Sequence, residues 1–179
     1  QEQSAPIVNN NKISTSAIAA NNYYGIYLYN CENNLTILKN TINNNNDNGD
    51  GGMYLFNCTG TNVLKGLIAN NFVQVGGTGQ AYGINIYNSD YQNIYYNSVN
   101  ITNTHATDGR ALYTYVGSNI EIANNIFANS GGGYAYYVYT APSIVVSYHN
   151  NLYTTGNFLA AWGYNNNKKD FIFLHAASS

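Results

Sequence analysis

The stretch Gly25-Ile26-Tyr27-Leu28-Tyr29-Asn30 (GIYLYN) returns as GMYLFN at 52–57, GINIYN at 83–88, ALYTYV at 111–116 and AYYVYT at 135–140. Self-similarity at a fixed period of this size marks a stacked-repeat architecture. Within each copy apolar and aromatic residues alternate, the signature of a strand whose side chains point to opposite faces in turn. One face then collects Ile26, Met53, Ile84, Leu112 and Tyr136, followed by Leu28, Leu55, Ile86, Thr114 and Val138. Its aliphatic character makes it the core. The other face carries an inner column, Tyr27, Tyr54, Asn85, Tyr113 and Tyr137, and an outer column, Tyr29, Phe56, Tyr87, Tyr115 and Tyr139. Nine of these ten positions are aromatic.

A second signal runs in phase with the first: an Asn two residues before an apolar or aromatic residue, at Asn11, Asn40, Asn71, Asn97, Asn125 and Asn151, spaced by 29, 31, 26, 28 and 26. Six coils are implied, each long enough for three short strands. Left-handed β-helices use shorter hexapeptide coils, so the expected fold is all-β, a right-handed parallel β-helix of about six coils. Gly and Asn interrupt every apolar run before a helical period develops, which predicts no helix longer than about two turns. The asparagines read as a ladder whose side-chain amides bond up and down the stack. Those in 43–48 and 165–167 read as exposed turn residues. Loops of variable length fall before the aromatic strand, at 43–51, 74–82, 103–110 and 129–134. The corners after it are rich in residues that accept tight turns.

The 179 residues are expected to form one β-helix domain, or a fragment of a longer one, with coils over about 6–162 and a cap or tail at 163–179. Phe158 and Trp162 are candidates to plug the C-terminal end, since solenoids need capped ends. The chain starts at Gln1 without Met or a signal sequence and reads as a trimmed mature segment. Charged residues are 8% and net charge is −2. A basic nucleic-acid footprint is therefore missing, and no apolar run approaches a membrane span. Nucleic acid and membrane are not expected partners. Such an amide- and hydroxyl-rich surface suits a secreted or cell-surface protein. Cys31 and Cys58 occupy the same repeat position one coil apart, about 4.8 Å. That distance suits a disulfide or a stacked pair of free thiols equally.

The spaced Asn pairs, the Gly-led strands and the 26–31 residue period resemble the right-handed parallel β-helix superfamily of pectate lyases, polygalacturonases and many secreted bacterial surface proteins. The Tyr-rich, charge-poor coils are similar to the β-helical xylan-binding modules attached to gut bacterial xylanases. This resemblance specifies fold strongly and implies several functions, because the architecture hosts lyases, hydrolases, adhesins and binding modules. The enzymatic motifs are mostly missing. No DD, HG or RxK block occurs, and the eight acidic residues are scattered over different coils, which argues against paired-carboxylate hydrolysis. Six Lys and Arg are few for holding an acidic chain.

Three further clusters are candidates. His105, Asp108 and Arg110 lie together before the fourth aromatic strand, as a catalytic constellation or a polar turn in which Asp-Gly makes the bend and Asp108 pairs with Arg110. Asp47 and Asp50 in DNGDGG have the spacing of a calcium loop without its closing Glu, so a structural calcium ion is the only cofactor suggested. His149 and His175 have no Cys or His partner at metal-ligand spacing. The aromatic columns remain the most distinctive feature. Nine adjacent rings would expose on the order of 500 Å² of mostly apolar surface, more than a monomer normally leaves unused. Tyr offers flat faces and phenol hydroxyls at low entropy cost, which suits sugar rings with apolar faces and hydroxyl rims. The expected function is a non-catalytic module binding a neutral plant polysaccharide such as xylan, within a larger secreted protein. Alternatives are a structural or adhesin segment, and a divergent lyase or hydrolase. At Asn85 the sequence predicts a polar contact to a sugar hydroxyl instead of stacking.

Overall fold

The computed structural model describes residues 3–15, 23–46, 50–105 and 107–171. Three parallel sheets run the length of the molecule, and the chain visits them in turn. The first holds Ile7–Asn9, Thr36–Leu38, Gly66–Ala69, Gln92–Tyr95, Ile120–Ala123 and Ile144–Tyr148. The second holds Lys12–Thr15, Thr41–Asn44, Phe72–Val75, Ser98–Ile101, Ile126–Asn129 and Asn151–Thr154. The third, the aromatic sheet, holds Tyr23–Tyr29, Asp50–Phe56, Ala81–Tyr87, Gly109–Thr114, Tyr134–Val138 and Ala160–Trp162. Each sheet thus contributes six rungs, and five full turns separate the first rung from the last: a parallel β-solenoid. Among the described residues of the coils the only helical element is the 3-10 turn Ala141–Ser143.

Register follows the repeat. Ile26, Met53, Ile84, Leu112 and Tyr136 pair in sequence across five rungs of the aromatic sheet, and all are buried. They meet Ile37, Ile68, Ile94 and Ile122 of the first sheet and Ile42, Val73, Val99 and Phe127 of the second in one continuous core. At the last rungs the core turns aromatic. Trp162 packs inward, nearly parallel to Tyr136 with ring centroids 6.2 Å apart, and so does fill this end. Phe158 instead lies outside, against Tyr134. The strand Asn167–Lys168 then pairs antiparallel with Ala160 and Ala161.

The leading glycine of each repeat has a steric cause. A Cβ at Gly25, Gly52 or Gly83 would fall 2.5, 2.2 and 2.2 Å from Ile42, Val73 and Val99 of the second sheet, so the chain bends there with backbone against side chain. At the next two rungs Ala111 and Ala135 take this place, fully buried.

The asparagine ladder is present, with one correction. Each Oδ1 accepts from both the backbone N–H and the side-chain amide of the rung before, through Asn11, Asn40, Asn71, Asn97 and Asn125. The last member is Asn150, not Asn151. Leu152 is the inward residue of that strand, in register with Phe127, so the ladder position two residues earlier is Asn150. The residue before each ladder Asn has positive φ: Asn10, Lys39, Asn70, Tyr96, Asn124 and His149. Asn tolerates that backbone best, which explains the recurring Asn-Asn pair and gives His149 a corner role. Asn44 and Asn46 are also not exposed turn residues. Asn44 is fully buried and donates to the Tyr23 and Gly51 carbonyls, and Asn129 does the same for Gly109 and Tyr134.

Cys31 and Cys58 are free thiols, both buried. The Cys58 thiol approaches the Leu28 and Phe56 carbonyls, and burial pushes its pKa up to about 12. It is held as an inert thiol.

Candidate functional site: the aromatic face

The two columns of rings have different fates. In the outer column each ring contacts the next, stacked with centroids 5.4 Å apart for Tyr29 and Phe56, 5.0 Å for Phe56 and Tyr87 and 4.5 Å for Tyr87 and Tyr115, and tilted by 47° at 4.4 Å for Tyr115 and Tyr139. A sixth ring, Tyr164, continues the ladder 4.8 Å from Tyr139. The segment reads Ala160-Ala161-Trp162-Gly163-Tyr164, in which Gly163 at φ +93°, just past the strand Ala160–Trp162, is inserted into the repeat. That insertion hides the copy in the sequence. The ladder is unbroken along six rungs; its end rings Tyr29 (49%) and Tyr164 (62%) are exposed, and the four between them, Phe56, Tyr87, Tyr115 and Tyr139, are partly buried.

The inner column is largely covered. Tyr27 is 51% exposed, but Asn85, Tyr113 and Tyr137 retain only 5, 9 and 5%. The expectation of nine open rings therefore fails at Tyr113 and Tyr137, and the sugar contact expected at Asn85 meets a buried side chain. The cover is a third set of outward residues that strict alternation does not anticipate: Tyr24, Gly51, Tyr82, Arg110 and Tyr134, paired across successive rungs. The bend at the leading glycine turns them to the same side as the inner column. Gly51 makes room for Tyr24, whose ring lies 2.2 Å from where a Cβ would stand and packs on Tyr54. Tyr113, Tyr137 and Ala161 thus form a second small core, ringed by Tyr82, Tyr115, Tyr134 and Tyr139. Asn85 sits in the break of this column, its Oδ1 enclosed without a hydrogen-bond partner.

Arg110 is the pin of that second core. Its guanidinium carbon lies 4.4 and 4.6 Å from the Tyr137 and Tyr113 ring centroids and 5.5 Å from Tyr82. Such cation–π contacts gain strength as water is excluded. Nη2 donates to Asp108 at 2.8 Å. His105 Nδ1 accepts the Asp108 backbone N–H at 3.2 Å, so in this arrangement that nitrogen carries no proton to share with the carboxylate 3.7 Å away. The structure therefore brings His105, Asp108 and Arg110 together as a turn that holds its own backbone. Other acids are engaged elsewhere. Glu121 is bound by Lys65 at 2.6 Å and by the Tyr95 hydroxyl, which hold its carboxyl below the usual range, and Asp90 accepts from Ser118. Among the described residues no three of His, Cys, Asp and Glu gather to hold a metal ion. Asp47 lies outside the described residues. Asp50 opens the second aromatic strand.

Exposed apolar residues also occur on the second sheet, at Phe72, Ile126 and Tyr153, and at the Tyr96 corner. None of these rings belongs to a ladder. Among the described residues, a contiguous run of ring contacts along six rungs is a property of the aromatic sheet.

Burial leaves a measurable mark on the phenols. Desolvation raises the Tyr54 hydroxyl from 10.0 to about 12, with the nearby Tyr24 and Tyr27 adding to it, and Tyr82, Tyr113, Tyr134 and Tyr136 are also raised, in each case chiefly by burial. The folded chain keeps these protons after an unfolded chain would release them, so stability is complete below pH 10 and falls as pH climbs through the folded values. The melting temperature should stay level to about pH 9 and drop progressively from about pH 10 to 12, with part of the phenolate absorbance appearing only as the chain unfolds. A level melting temperature across that range would place these rings in water.

The fold and this face define a parallel β-solenoid with one aromatic side. No family model, curated protein or solved structure matches the chain. No described helix is long and apolar enough to cross a membrane.

Proposed function

We propose that the chain is a non-catalytic carbohydrate-binding module whose outer ladder, Tyr29, Phe56, Tyr87, Tyr115, Tyr139 and Tyr164, holds a neutral polysaccharide. The observation that carries this reading is the unbroken six-ring ladder, with successive centroids 4.4–5.4 Å apart, exposed at both ends and partly open to solvent along its middle. Its step is roughly the length of one sugar unit, so successive pyranose faces of an extended chain meet successive rings. The near-neutral composition and the self-contained Arg110–Asp108 pair favour an uncharged ligand over an acidic one. Xylan is the leading candidate, on the resemblance to xylan-binding β-helical modules, and a secreted multidomain protein is the natural setting. The inner rings Tyr113 and Tyr137 serve stability, and the same holds for the 105–110 turn.

A structural or adhesin reading, in which this face packs on another domain or chain, predicts no affinity for sugar. Replacing Tyr87 and Tyr115 together with Ala separates the two. The variant breaks three ring contacts along the ladder and two longer ones to Tyr54 and Tyr113, each at most about 0.5–1.5 kcal/mol, so the melting temperature should fall while the fold persists. Each lost ring should weaken xylan-oligosaccharide binding by about 0.5–2 kcal/mol, a combined loss of about fivefold or more by isothermal titration. Unchanged affinity in a folded variant would return the ladder to a structural role.

A further inference from the structure

The loops that enter the aromatic sheet converge at its other edge, away from the ladder. Gly132, Gly133 and Tyr134 from one loop, Thr107 from the loop before it, and Asn157 and Phe158 from the loop after it enclose a hollow of about 130 Å³. That is the space of about four waters and well below a drug-sized pocket, so it admits one small ring. The Tyr134 and Phe158 rings line it nearly parallel, 12° apart in plane with centroids 6.4 Å apart. Tyr134 is fixed in place by its hydroxyl bond to Asn167 Oδ1 at 3.0 Å and by edge contact with Tyr137. Gly132, at φ +102°, faces open space where a side chain would project. Thr107 and Asn157 are exposed, and the Thr107 hydroxyl lies 3.4 Å from both Asp108 Oδ2 and His105 Nδ1. None of the six lining residues is charged.

Aromatic walls, a hydroxyl and amide rim and no net charge are the chemistry of a neutral sugar ring. We propose that this hollow is a single-unit subsite, which seats one neutral pyranose against Tyr134 and Phe158 with hydrogen bonds from Asn157 and Thr107. The proposal rests on the same sugar-ligand reading as the ladder but on different residues. A concave single-unit site binds a lone glycoside, whereas a flat ladder gains affinity from a run of linked units.

The test titrates the ¹⁵N-labelled chain with the methyl β-pyranosides of xylose, glucose, galactose and mannose, read by amide chemical shifts. At least one glycoside should move the Gly132, Gly133 and Asn157 signals in a saturable way. Phe158→Ala should weaken that binding by about fivefold or more, as expected for a lost aromatic wall. Asn157→Ala, at an exposed position that leaves the core untouched, should weaken it as well, and the Tyr87 and Tyr115 double variant should not. The proposal is overturned if no glycoside shifts these signals, if the shifts fall on the ladder instead, or if both pocket variants bind unchanged. Retention by xylan without glycoside binding would remove the pocket and leave the ladder. Glycoside binding at the pocket without xylan retention would do the reverse.

Discussion

Leu55→Asp is expected to abolish the folded state, while Tyr29→Ala, on the adjacent rung and the other face of the same sheet, leaves it standing. Leu55 is fully buried between Leu28 and Ile86 at the second rung of the stack. Removing its side chain forfeits roughly 1.5–3 kcal/mol of apolar burial, and an unpaired carboxylate in that setting costs several kcal/mol more. The sum is comparable with the whole stability of an ordinary domain, about 5–15 kcal/mol. A solenoid also transmits stability rung to rung, so a break at the second rung uncouples the first from the rest. Tyr29 is half exposed and loses one ring contact, worth about 0.5–1.5 kcal/mol. Circular dichroism melts should show no cooperative transition for the first variant and a small shift for the second. Equal losses would mean that the inward and outward faces are exchanged.

The next largest effect is expected at Asn71. Its Oδ1 accepts from the Asn40 backbone N–H and side-chain amide, and its Nδ2 donates to Ile37 O and Asn97 Oδ1, all within 2.9–3.0 Å. Asn71→Ala strands several of these groups at a buried corner, where each unsatisfied donor or acceptor costs about 1–3 kcal/mol. A loss of roughly 3–6 kcal/mol in urea unfolding follows from that count. The end of the ladder gives an internal control. Asn150→Ala should be clearly destabilising because Asn150 accepts from Asn125, whereas Asn151→Ala, at an exposed strand position, should be close to neutral. The opposite order would restore the alignment that the Asn-Asn-Leu-Tyr string suggests.

That slip illustrates what the sequence makes legible. The stacked rungs, the inward aliphatic columns and the ladder were readable because a solenoid repeats one local environment, so each rule is stated five or six times over. Asn151 misled because two asparagines are adjacent and only the burial of Leu152 decides between them. Tyr164 was hidden by the inserted Gly163. The covering of Asn85, Tyr113 and Tyr137 was not legible, because strict alternation fails at the leading glycine. Tyr24, Tyr82, Arg110 and Tyr134 therefore join the outward face only through a bend set by contacts with the second sheet. The free state of Cys31 and Cys58 also lay beyond the sequence, since register alone suits a thiol pair and a disulfide alike.

Native gel electrophoresis of the chain in gels cast with xylan, with other neutral polysaccharides and with polygalacturonate tests the central claim directly. The account predicts retarded migration in a neutral gel, xylan foremost, no retardation in polygalacturonate, and no released product. Unaltered migration in every neutral polysaccharide, or retardation by the acidic one alone, would contradict it.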